Sequence, residues 1–99
     1  MKTYPREILW AILKPLGGAK LVRFEESRCT FQFALPVIKL AVEIDSGLIA
    51  RFKWAKYNRA NILGWHILRF TDHEIRCGIA KEMIGKFIVS AIEACKEWK

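Results

Sequence analysis

Glu43 and Asp45 stand two residues apart in Lys39-Leu40-Ala41-Val42-Glu43-Ile44-Asp45, an otherwise apolar stretch whose alternation reads as a β-strand. Strand side chains alternate faces, so Leu40, Val42 and Ile44 are expected in a core while Lys39, Ala41, Glu43 and Asp45 share the other face. The Cα atoms of the two acids would lie ~6.6 Å apart, near enough for both carboxylates to meet one divalent cation or one water. Strands disfavour acids. The pair is therefore either a metal site built on the strand or the acidic polar face of a half-exposed antiparallel strand, and the strand alone does not choose.

The flanking residues supply the elements that would position it. Pro5 suits a first helical turn, and Glu7, Ile8, Leu9, Ala11, Ile12 and Leu13 follow at helical spacing until Pro15 and Gly17-Gly18 stop the run. Lys20 to Glu25 and Cys29 to Leu35 then read as strands separated by the polar Glu26-Ser27-Arg28 turn, and Pro36 breaks the chain before the acidic strand. Phe31, Phe33 and Leu35 would share one face, placing Gln32 on the other, beside Glu43. Arg51 to Leu63 holds no Gly or Pro and ends at Gly64, the C-terminal signal of a helix, and its charges are all positive. Trp65 to Thr71 reads as a further strand, so helix followed by strand implies a crossover. Ala80, Ile84, Phe87, Ile88, Ala91, Cys95 and Trp98 recur every three to four residues and mark a last helix packing on the core.

Composition limits the setting. The 99 residues, 53% hydrophobic, suit a single domain spanning 1–99 with one core. A net charge of +7 favours an anionic partner such as nucleic acid, although solubility alone would also account for it. Cys29, Cys77 and Cys95 lack zinc-type spacing and are read as reduced, mostly buried small residues, and His66 and His73 lack metal-ligand spacing. The apolar run Ile8 to Leu13 is too short for a signal-peptide core or a membrane span, so a cytoplasmic chain with no membrane partner is expected.

Three segments carry a resemblance. They are Phe31-Gln32-Phe33-Ala34-Leu35-Pro36; Lys39-Leu40-Ala41-Val42-Glu43-Ile44-Asp45-Ser46-Gly47; and Lys56-Tyr57-Asn58-Arg59-Ala60-Asn61-Ile62-Leu63-Gly64-Trp65-His66-Ile67-Leu68-Arg69-Phe70-Thr71. Together they resemble the PD-(D/E)XK nuclease superfamily, and within it the very-short-patch-repair-like endonuclease domains and their small phage and bacterial relatives, over roughly residues 4 to 90. The resemblance implies an α/β (α+β) restriction-endonuclease-like core in the order α-β-β-β-α-β-α, with a mixed central sheet flanked by helices. It also implies a DNA endonuclease using Mg²⁺ or Mn²⁺ held by Glu43 and Asp45, with Gln32 completing the metal shell and Glu7 in the position of a helical Glu that orients a metal-bound water. The alternative is a nuclease-like module that has lost catalysis and binds DNA or protein.

Two departures bear on that choice. The family's metal-binding Asp is Gln32 here, a neutral and poorer ligand. Only Leu48-Ile49-Ala50 separates Gly47 from Arg51, where relatives carry a longer loop with a His and an acid. The signature lysine is absent from its usual place, which Asp45 takes, so Lys56 is the expected ammonium for catalysis and Lys53 its alternative. Arg51, Lys53, Lys56 and Arg59, interleaved with Phe52, Trp54 and Tyr57, are expected to meet DNA, with RNA the lesser alternative. Trp65, Arg69 and Thr71 are read as anchoring the last strand. A homodimer is expected, because so small a domain covers little duplex.

Overall fold

The computed structural model describes residues 4–23, 30–45 and 51–97, with the side chains of 51–54 and 95–97 outside that description. The expected turn at Glu26-Ser27-Arg28, Cys29, the Leu48-Ile49-Ala50 connection, Trp98, and the side chains of Arg51, Lys53 and Cys95 thus lie outside the described residues, and Cys77 is exposed rather than buried.

Helix α1 (Pro5–Leu13) begins on its proline and ends in a 3-10 turn closed by Gly17 at φ +83°. Strands β1 (Ala19–Arg23), β2 (Thr30–Leu35) and β3 (Leu40–Ile44) form an antiparallel meander. Helix α2 (Arg51–Ile62) then crosses over to β4 (His66–Phe70), which pairs parallel to β3. The sheet order is β1-β2-β3-β4, a mixed sheet. Helix α4 (Ile79–Glu97) closes the chain. The structure adds one element, the short α3 (Asp72–Arg76), opened by a capping box in which the Thr71 and Glu74 side chains each accept from the other's backbone N–H.

Cores form on both faces of the sheet. On one, Leu9 and Leu13 of α1, Phe33, Leu35, Leu40, Val42 and Phe70 of the strands, Ile75 of α3 and Ile84 of α4 pack together. On the other, Phe31, Ala34 and Ala41 pack beneath Ala60 of α2, with Trp65 against Phe31 at 4.9 Å between ring centroids. Small residues at positions 34, 41 and 60 let α2 lie close to the sheet.

Two face assignments differ from the sequence expectation: Gln32, expected on the face of Glu43, lies instead on the α1 side with Phe33, and Phe31 leaves that side. Phe31 does not join Phe33 and Leu35 but turns toward α2, because alternation breaks in β1 and β2 together. Leu21 takes φ +50° and lines the α1 side with Lys20, and its counterpart Gln32 lines that side with Phe33. The next residues, Val22 and Phe31, therefore point the opposite way. Among the described residues no helix is long and apolar enough to cross a membrane.

Candidate active site

The acids end up beneath the crossover helix rather than facing solvent. In the parallel β3–β4 ladder Glu43 stands opposite Arg69, so both lie toward the carboxyl ends of their strands, where a crossover leaves a crevice for ligands. Glu43 is 5% exposed. A buried carboxylate requires a countercharge, and Lys56 of α2 provides it through an ion pair to Oε1. The Lys56 ammonium also lies 5.6 Å from the Phe31 ring centroid and 5.9 Å from that of Tyr57. Lys56 thus spends its charge on Glu43 inside the site, with its side chain 19% exposed.

Two residues join the cluster that the sequence reading left out of the site. Burial raises the Tyr57 phenol above the usual tyrosine value, and the charge on Glu43 raises it further. Arg69 pulls the other way through its charge and a hydrogen bond to the phenol, while Asp45 adds to the upward shift. The Arg69 guanidinium lies 5.1 Å from the Tyr57 ring centroid. Asp45 is half-buried, and its backbone N–H donates to Phe70 O at 2.9 Å, tying the end of β3 to β4. Glu43, Asp45, Lys56, Tyr57 and Arg69 accordingly form one coupled polar cluster under α2. The signal was available: Tyr57 and Arg69 both fall in the third motif segment, and period two puts Arg69 on the same face as Trp65 and Ile67.

Gln32 and Glu7 sit differently. The regular β2–β3 register ends at Phe33 opposite Val42. Beyond it the Gln32 side chain supplies the next rung, its Oε1 accepting from Ile44 N at 2.8 Å, the peptide nitrogen between the two acids. Glu7 is exposed on α1 and lines, with Gln32 and Ile44, a depression on the α1 side of the sheet. Arg51 and Lys53 open α2, and Arg59 is exposed near its other end. Among the described residues no group of three or more His, Cys, Asp and Glu gathers around one point.

No family model and no curated protein matches the chain. Among solved structures, the catalytic domain of the homing endonuclease I-Bth0305I aligns at a TM-score of 0.73, covering 92% of this chain and 99% of that domain at 23% sequence identity. The fold is nuclease-like. At that identity the likeness is one of architecture, and it extends over nearly all of both chains.

Proposed function

We propose that the chain is a small PD-(D/E)XK-type endonuclease that hydrolyses DNA phosphodiester bonds with a divalent cation, Mg²⁺ or Mn²⁺, at Glu43 and Asp45. The observation that carries this reading is a buried carboxylate, neutralised by a helix lysine, at the carboxyl end of a parallel strand in a nuclease-like fold.

The donor set suits such a cation. Mg²⁺ keeps several waters and is commonly bound through one or two carboxylates plus phosphate oxygens, which is what two neighbouring acids offer. When bound, it would polarise the scissile phosphate and supply a nucleophilic water. The chain's own residues perform the remaining work. Glu43 and Asp45 would hold the ion, and Lys56, beside Glu43, would place its ammonium where negative charge develops on phosphate. Tyr57 and Arg69 fix one another and the floor of the cluster. Gln32 holds Ile44, and with it the spacing of the two acids. Arg51, Lys53 and Arg59 meet the DNA backbone, whereas Glu7 stands on the α1 side of the sheet and does not face the cluster. Acting on both strands of a duplex would call for two copies of the chain.

A second reading rests on one observation. Gln32 replaces the acid that the motif carries, and its oxygen is already given to Ile44 N, which favours a nuclease-like module that binds DNA without cutting it. Incubation with supercoiled, branched and mismatched DNA in Mg²⁺ or Mn²⁺, alongside Glu43→Ala, separates the two. Cleavage that disappears in Glu43→Ala supports the enzyme. Binding that survives chelator and weakens with salt, with no cleavage by the unaltered chain, supports the module.

A further inference from the structure

A depression of about 540 Å³ opens between α1 and the broken alternation of β1 and β2, on the side of the sheet away from Lys56. Trp10 is half-buried in it and backed by Phe33, with ring centroids 6.3 Å apart and planes 24° apart, so the indole is held in a fixed orientation. The exposed Lys20 places its ammonium 4.6 Å from the indole centroid, and Arg6 brings a second cation to the wall. Gln32 spends its oxygen on Ile44 N and keeps its amide N–H donors, beside the carboxylate of Glu7. Leu21 is 74% exposed on a φ of +50°, a conformation that costs a leucine energy and that here aims an apolar side chain at solvent instead of a core.

These groups converge on one ligand chemistry. A fixed indole face takes a planar aromatic ring, an amide and a carboxylate meet the polar edge of that ring, and two cations take an attached phosphate. Base stacking on an aromatic side chain outweighs the cation–π contact of an exposed lysine, so an arriving base displaces Lys20 from the ring toward the phosphate. The volume suits one small planar ligand, and a base within a duplex has both faces covered, so the base must be unstacked.

We propose that this pocket binds one unstacked base of single-stranded or locally opened nucleic acid on Trp10, with the adjoining phosphate on Arg6 and Lys20, and with Leu21 as an apolar wedge against restacking. The proposal rests on the reading of the chain as acting on nucleic acid, not on its cleaving it.

The test measures binding of the full chain to an end-labelled short single-stranded DNA and to the matching duplex, in chelator, with tryptophan quenching recorded. The unaltered chain should bind the single strand more tightly than the duplex. Trp10→Leu should weaken single-strand binding by about fivefold to a hundredfold and remove part of the quenching. Lys20→Glu should weaken it about tenfold through the lost phosphate contact. Leu21→Gly relieves the positive φ, so it should fold with an unchanged or higher Tm yet lose single-strand affinity while duplex affinity holds; it keeps the test decisive if Trp10→Leu fails to fold. Equal affinity for both polymers, unmoved by Lys20→Glu and Leu21→Gly, would overturn the pocket and leave the nucleic-acid reading standing. Competition by free deoxycytidine monophosphate as effective as the oligonucleotide would likewise overturn a single-strand site. Failure to bind either polymer would overturn both readings, whereas pocket-dependent binding with no cleavage overturns only the enzyme.

Discussion

Glu43 keeps its charge beneath α2 because Lys56 reaches it, and the two side chains are only 6% and 19% exposed. Removing one partner of a fully buried pair costs about 3–5 kcal/mol; with Lys56 partly in water, Lys56→Met is expected to cost about 1–3 kcal/mol. Glu43→Gln/Lys56→Met should recover most of that loss, since no charge is then left unpaired. Urea denaturation of the three proteins measures it, and an equal loss in single and double variants would show that packing of the lysine stem, not charge, is responsible. Tyr57 offers a second handle. Its proton is held more tightly in the folded chain than in the unfolded one, where tyrosine titrates near pH 10. That contribution is whole below about pH 10 and declines as pH rises from there toward the folded value. Stability of the unaltered chain should therefore fall more steeply above about pH 10 than that of Tyr57→Phe. The chain has two tyrosines, and Tyr4 is common to both proteins, so the difference between their urea midpoints reports Tyr57 alone.

At the scale of elements, the end of β3 depends on a side-chain rung. Ile44 N has Gln32 Oε1 as its acceptor where the β2–β3 ladder stops, and a hydrogen bond of this kind contributes about 1 kcal/mol. Gln32→Asp shortens the side chain by one methylene and puts a carboxylate at the end of the β2–β3 ladder, next to the Ile44 peptide that links the two acids. We expect it to lower stability by about 1 kcal/mol while raising Mg²⁺ affinity in calorimetry. Absence of Mg²⁺ binding even in this variant would mean that β2 and β3 do not present their side chains to one ion. The elements themselves were legible because Pro5, Pro15, Pro36 and Gly64 punctuate them, and the shared face of Glu43 and Asp45 followed from period two. Helix α3 was missed although Thr71 and Glu74 carry the capping-box spacing; five residues give too little periodicity to notice. The misassignment of Phe31 has a different origin. No glycine marks Leu21, whose positive φ turns the alternation of β1 and β2 over, so a local conformation set by tertiary packing was invisible to pattern. That α2 would cover the acids was also hidden, since the ion pair joins residues thirteen apart across a crossover.

On the scale of the whole molecule, the three layers divide the work: α2 lies over the acids and reaches Glu43 through Lys56, and α1, α3 and α4 fill the other face. A net charge of +7 draws the chain to polyanions, but it does not say which cations touch phosphate. Lys56 distinguishes them, because in the free chain its charge is spent on Glu43. Each phosphate neutralised by a protein cation contributes about 0.9 to the slope of log affinity against log salt on duplex DNA. Glu43→Gln sets Lys56 free toward the face that α2 presents. In chelator, this variant should therefore bind DNA more tightly at low salt, with a slope steeper than that of the unaltered chain by about 0.9, one phosphate's worth. Anisotropy titrations across a salt series read both quantities. A steeper slope would show that DNA passes over the α2 side, within reach of Lys56, and that the Glu43 ion pair restrains binding until the carboxylate finds another partner. Unchanged slopes would place the DNA elsewhere on the molecule and confine Lys56 to a structural role.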